Sequence, residues 1–178
     1  MSVAIVTDST SYLPADLVAR HGIRVVPIHV VVGGRELSEG VDVTPQIVAE
    51  ALRSYVPVTT ARPSPQAMLA AYEAAAQDGA TAVVSVHLSA DMSSTVGSAE
   101  LAAREASVPV HVVDSRSVAM GLGFAVLAGA RAAEAGADPD RVVQVVTRRT
   151  AASTLRFSVD TLEFLRRGGR IGAASKLV

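Results

Sequence analysis

The sequence is 178 residues long and carries 16 basic and 17 acidic residues, so its net charge of −1 gives no field to gather nucleic acid or an anionic membrane. The absence of cysteine excludes disulfides, thiolate nucleophiles and cysteine-based metal sites, and agrees with a reducing cytoplasm. Hydrophobic residues make up 49% of the chain but aromatics only 3%, which predicts an aliphatic, Val- and Ala-rich core. His21, His29, His87 and His111 are scattered without metal-ligand spacing.

The first apolar run, residues 3–6, leads straight into Asp8-Ser9-Thr10, and the longest, 25–34, is broken by Pro27 and His29. Neither has the form of a signal peptide or a membrane span, so a cytoplasmic protein is expected. Runs rich in β-branched residues predict strands over 3–7, 24–32, 81–87, 108–114 and 154–160. Helical patterns lie between them. Thr44-Pro45 starts a helix with Ile47, Val48, Ala51, Leu52 and Tyr55 on one face, and Ser64-Pro65 starts another with Met68, Leu69, Tyr72, Ala75 and Ala76, ended by Gly79. Further helices are expected over 93–106 and 117–135, and from Asp138-Pro139 onward. Gly121, Gly123 and Gly129 lower helix propensity in the second of these, which points to close backbone packing against a sheet. Alternating strands and helices with short connections predict an α/β fold, a mostly parallel sheet with helices on both faces.

Residues 1–153 read as one α/β domain, and 154–178 as the start of a second domain that is largely absent. Within that tail, Asp160 and Glu163 make a capping-box-like start to a short helix closed by Arg166-Arg167-Gly168-Gly169. Residues 171–178 look like the opening of another element.

Ligands of parallel α/β sheets bind beyond the carboxyl ends of the strands. Four hydroxyl-rich loops qualify: Asp8 to Ser11, Thr59 to Ser64, Ser89 to Thr95 and Asp114 to Ser117. The Ser93 loop suits a carboxylate or phosphate best, because free N–H groups and the helix dipole stabilise an anion there. Ser93 or Ser94 could equally be a plain helix cap, and Thr60 carries the same ambiguity. Asp8 and Asp114 end strands, where each either caps the following turn or serves as a catalytic carboxylate or metal ligand. His29 and His87 lie in apolar runs and read first as hydrogen-bonded core or rim residues. No GxGxxG or GxxxxGK[ST] phosphate loop is present.

Taken in order, these segments resemble the DegV family. Ala4-Ile5-Val6-Thr7-Asp8-Ser9-Thr10-Ser11 resembles its first strand and DST loop, and Thr60-Ala61-Arg62-Pro63-Ser64-Pro65 its TSQPSP motif, with Ala61 and Arg62 replacing Ser and Gln. His87-Leu88-Ser89 through Ser93-Ser94-Thr95 is similar to its HLSS and LSGT elements, with Ser94 in place of Gly. Val113-Asp114-Ser115 and Leu165 to Ile171 match its later DS and L-x-x-GGRI elements.

The resemblance implies a non-enzymatic protein that binds one long-chain fatty acid such as palmitate, its tail in an apolar tunnel and its carboxylate held by Thr60 and Ser93, with Ser94, Thr95 and Arg170 as supporting residues. It implies no metal and no cofactor, and a separate fatty acid kinase as partner, which makes the acyl phosphate. It also implies a second domain that closes the tunnel, so the tunnel of this chain is expected to be open on that side. The competing reading is a phosphotransfer enzyme or subunit of dihydroxyacetone-kinase-like type, with His29 or His87 as phosphate acceptor. A lipid-sensing module without a kinase partner is the third.

Overall fold

The computed structural model describes residues 2–170. Its strands are β1 (Val3–Asp8), β2 (Arg24–Val26), β3 (His29–Val32), β4 (Arg35–Ser38), β5 (Val58–Ala61), β6 (Ala82–His87) and β7 (Val110–Asp114). Its helices are α1 (Ala15–Arg20), α2 (Pro45–Arg53), α3 (Pro65–Gln77), α4 (Thr95–Ala103), α5 (Ala119–Glu134), α6 (Pro139–Ala151) and α7 (Glu163–Arg167), with a 3-10 turn at Ser9–Ser11.

β2, β1, β6 and β7 form an all-parallel sheet in that order. All six residues of β6 are buried, as a parallel strand covered on both faces requires. On one face Ile5, Val84 and Val86 meet Leu122 and Val126 of α5 and Val142 and Val146 of α6. On the other, Val6 and Val83 meet Met68 and Tyr72 of α3 and Ala99 and Ala102 of α4. Helices thus cover both faces, as the alternation of elements predicts, and the buried side chains are chiefly aliphatic.

A second sheet is antiparallel, in the order β4, β3, β5. The expected strand over 24–32 is in fact two strands in two sheets. Pro27 has no N–H to continue a ladder, and the Ile28 N–H beyond it turns away to the Ser9 hydroxyl at 3.0 Å. Residues 59–61, expected as part of a loop, belong to β5, with Thr60 opposite Val30 and Ala61 opposite His29. The sequence gives little sign of α1, which buries no residue fully, or of the four-residue β4.

Thr44, Ser64 and Asp138 cap their helices as expected, accepting from Ile47, Ala67 and Arg141 N–H at 3.4, 3.1 and 2.7 Å. Helices α4 and α5 are shorter than the 93–106 and 117–135 expected. Among the described residues no strand forms over 154–160, because no neighbouring strand offers it a ladder. Leu155, Phe157 and Val159 are instead 43%, 60% and 45% exposed. Thr161, not Asp160, accepts the Glu163 N–H at 3.2 Å at the start of α7. The element expected over 171–178 lies outside the described residues.

The α5 glycines do allow close approach, but mainly to partners other than the sheet. A Cβ on Gly123 would sit 2.6 Å from the Ser11 carbonyl oxygen, and one on Gly129 would sit 2.8 Å from Val146 Cγ2 of α6. Gly121 would meet the Ser117 hydroxyl.

Candidate ligand-binding site

The loop beyond the carboxyl end of β6, the end of β5 and the residues after α7 border an open cleft of about 660 Å³. Thr60, Ala61 and Arg62 line it from β5 and the residue after it, Ala90 to Ser94 from the loop between β6 and α4, and Gly168 to Arg170 from the end of α7. Thr60, Ser93, Ser94 and Arg170, dispersed over more than half the chain, therefore share one cavity. Its walls are mostly polar, with two guanidinium groups, Arg62 and Arg170, and one carboxylate, Asp91.

The capping ambiguities resolve differently for each hydroxyl. Ser64 caps α3, leaving the exposed Thr60 hydroxyl without a partner among the described residues. The Ser93 hydroxyl accepts the Thr95 N–H at 3.3 Å and lies 2.8 Å from the Thr95 hydroxyl, so it closes a local turn while still lining the cleft. Ser94 makes no side-chain cap and has φ −81°, a backbone any L-residue adopts, so a glycine is not required there. Thr95 is fully buried behind Ser93. Arg170 donates through Nε to the Met92 carbonyl at 3.3 Å and through Nη1 to the Gly168 carbonyl at 2.8 Å, which ties the end of α7 to the Ser93 loop.

The loop is pinned from several sides. Asp114 Oδ1 accepts N–H groups from Arg116 at 2.8 Å and Ala90 at 3.2 Å, and the Ser117 carbonyl accepts from Ser89 at 2.8 Å. The antiparallel sheet is fixed to the same end by Glu39, which accepts from the Ser9 hydroxyl at 2.6 Å and the Tyr12 hydroxyl at 3.1 Å. Burial, then the charge and hydrogen bond of Glu39, raises the Tyr12 phenol to about 12, so it stays a donor.

Asp8 caps the 3-10 turn as expected, its Oδ1 accepting from the Thr10 N–H at 3.0 Å and the Thr10 hydroxyl at 2.5 Å. Its Oδ2 also accepts from the Leu88 N–H at 3.1 Å and from His87 Nδ1 at 3.0 Å. Burial by itself would raise the Asp8 carboxyl. The hydrogen bond and electrostatic attraction of His87 and the bonds from Thr10 and Leu88 outweigh burial and hold it below the usual carboxylate value. The sequence gives no hint of the Asp8–His87 pair except that both residues end strands, which the parallel pairing of β1 with β6 sets side by side. His29 is elsewhere, on β3, 3.1 Å from Glu36. No cluster of three or more His, Asp or Glu able to hold a metal exists among the described residues, and no described helix is long and apolar enough to cross a membrane.

A sequence model of the DegV family, a family described as uncharacterised proteins, matches residues 2–178. The chain belongs to the DegV family. This DegV chain is 52% identical over 175 residues to a DegV domain-containing protein of Streptomyces coelicolor, a match covering 98% of this chain and 62% of that relative. Its fold is similar to that of a DegV family protein from Thermus thermophilus described by its fatty acid binding, with TM-score 0.91 and 40% identity over 100% of this chain and 64% of that one. DegV of Bacillus subtilis, described as a fatty acid binding protein, is similar with TM-score 0.90 and 30% identity, covering 99% of this chain and 64% of that one. This DegV chain thus spans less than two thirds of the length of these relatives.

Proposed function

We propose that this chain binds a long-chain fatty acid without transforming it, the carboxylate held by the Thr60 and Ser93 hydroxyls and supported by Ser94, Thr95 and Arg170. The observation that carries this reading is the shared cleft: the Thr60 hydroxyl from β5 and the Ser93 hydroxyl from the loop before α4 line one cavity at the amino-terminal end of α4, with Arg170 on its wall. Hydroxyl donors, a helix dipole and a cation together suit a monoanion. The Thermus and Bacillus relatives, both described as binding fatty acids, support the ligand class. Each methylene buried contributes about 0.8 kcal/mol, so the tail supplies most of the affinity and the cleft sets the orientation.

In this reading the fatty acid is handed to a separate kinase in the cytoplasm, and the chain itself takes no cofactor or metal. The fully buried ring of His87 argues against that residue as the phosphate acceptor of a phosphotransfer enzyme, since an attacking nitrogen must reach a phosphoryl donor, while the partly exposed His29 lies on β3 beside Glu36. The exposed Leu155, Phe157 and Val159 support a division of the chain near residue 153, with the following residues belonging to a second unit that covers the acyl chain.

The test is calorimetric titration of palmitate into this chain and its Ser93→Ala and Thr60→Val variants. A lost bond to a charged group costs about 1.5–3 kcal/mol, or about 10- to 100-fold in affinity. Equal affinity in all three proteins removes these hydroxyls from the head-group site.

A further inference from the structure

The carboxyl ends of β1 and β6 hold a chain of buried polar side chains that no ligand contact explains. The Tyr72 hydroxyl lies 2.9 Å from the Ser85 hydroxyl, which lies 2.7 Å from His87 Nε2, while His87 Nδ1 lies 3.0 Å from Asp8 Oδ2. All four residues have 0% relative exposure. The point is where the strand order reverses, since the chain passes from β1 to β2 on one side and returns as β6 on the other.

Counting protons fixes the direction of each link. Burial raises the Tyr72 phenol to about 12, so it keeps its proton, and Ser85 is its hydrogen-bond partner. Tyr72 therefore donates to Ser85, Ser85 donates to Nε2, and the Nδ1 proton goes to Asp8. A second ring proton, on Nε2, would leave one hydroxyl proton of the Ser85–Tyr72 pair buried with no acceptor.

The chain ends on the ligand loop. Asp8 Oδ2 is shared between His87 Nδ1 and the Leu88 N–H, and the next residue, Ser89, accepts through its carbonyl from the Met92 N–H at 2.9 Å and the Ser93 N–H at 3.1 Å. The Ser89 hydroxyl also accepts the Asp91 N–H at 3.2 Å. The Asp8 carboxylate thus anchors Leu88, where the loop that carries Ser93 begins.

We propose that Asp8 and His87 are positioning residues of the anion site, the His87 Nδ1 proton holding Asp8 in the orientation that places the Ser93 loop. For ligand selectivity this rests on the fatty-acid reading; for loop geometry it does not. It is the Nδ1 end of the ring that does the positioning, and the Nε2 end serves only to fix the tautomer.

Two nearly isosteric variants separate the ends. The amide nitrogen of His87→Asn can replace Nδ1 and still donate to Asp8, whereas that of His87→Gln reaches towards the Nε2 position and leaves Asp8 without its donor. The measurements are the amide resonances of Leu88, Met92 and Ser93 in the ligand-free protein, and affinity for dodecanoate against dodecan-1-ol, which share a tail but not a charge. We expect His87→Asn to keep the resonances and the preference for the acid, and His87→Gln to shift the resonances and lose about tenfold of that preference with little change for the alcohol. Asp8→Asn replaces His87→Gln if the latter does not fold. Indistinguishable behaviour of the two His87 variants, or a loss confined to His87→Asn, overturns the proposal. If the parent chain binds neither lipid, the fatty-acid reading fails and the resonances alone decide the positioning role.

Discussion

Gly97 and Gly123 are both inside helices, on α4 and α5, yet alanine should act oppositely at the two positions. Replacing a glycine in the middle of a helix by alanine gains up to about 0.8–1 kcal/mol of helix propensity, in full at Gly123 and in part at Gly97, which lies in the first turn of α4. At Gly97 the new methyl meets nothing within 4 Å, so that gain should be kept. At Gly123 it would sit 2.6 Å from the carbonyl oxygen of Ser11 and 3.1 Å from Leu13 Cδ2. That carbonyl belongs to backbone and cannot rotate away, so α5 or the 3-10 turn must shift, and such overpacking costs about 1–3 kcal/mol. The two variants should therefore differ by about 1–3 kcal/mol, and with a shift of about 2–4 °C per kcal/mol for a chain of this size, Gly123→Ala should melt several degrees below Gly97→Ala. Circular-dichroism melts and urea titrations of the two proteins measure the gap. Equal stability, or a more stable Gly123→Ala, would refute the close approach of α5 to the turn that follows Asp8.

Three further outcomes are expected. The Asp8 carboxyl lies below its unfolded value, so its contribution is complete above the unfolded pKa near 4 and is lost as pH falls through the folded one. Urea midpoints between about pH 5 and 2 should fall less steeply for Asp8→Asn than for the parent chain. Glu73, also held low by its bonds to Ser107, titrates in the same window in both proteins and cancels in the comparison. Tyr72→Phe should lower unfolding free energy in urea by about 0.5–1.5 kcal/mol, the net value of one buried hydrogen bond, while a change near zero would mean that the link to Ser85 adds nothing. Ser9→Ala removes both the acceptor for the Ile28 N–H and a donor to Glu39, so hydrogen exchange should quicken at Ile28, with β6 amides unchanged.

The sequence by itself determined the parts that depend on neighbours along the chain. Pro after Thr44, Ser64 and Asp138 marks helix starts because proline fits a first turn and a short oxygen caps it, and all three oxygens do so. The all-buried β6 is legible as an apolar run, and the ordered DST, HLS and GGR segments were enough to point to the DegV family. Which residues share a cleft was decided by the tertiary structure. Residues 154–160 alternate like a strand, but alternation supplies only one side of a ladder and no described strand supplies the other. Residues 59–61 carry hydroxyls that read as loop, and only pairing with β3 makes them part of the strand that presents Thr60. Asp8 and His87 are separated by 79 positions and meet because β1 and β6 lie side by side in parallel. Local chemistry specifies caps and turns; a hydrogen bond across two strands exists only once the sheet has set their order and register.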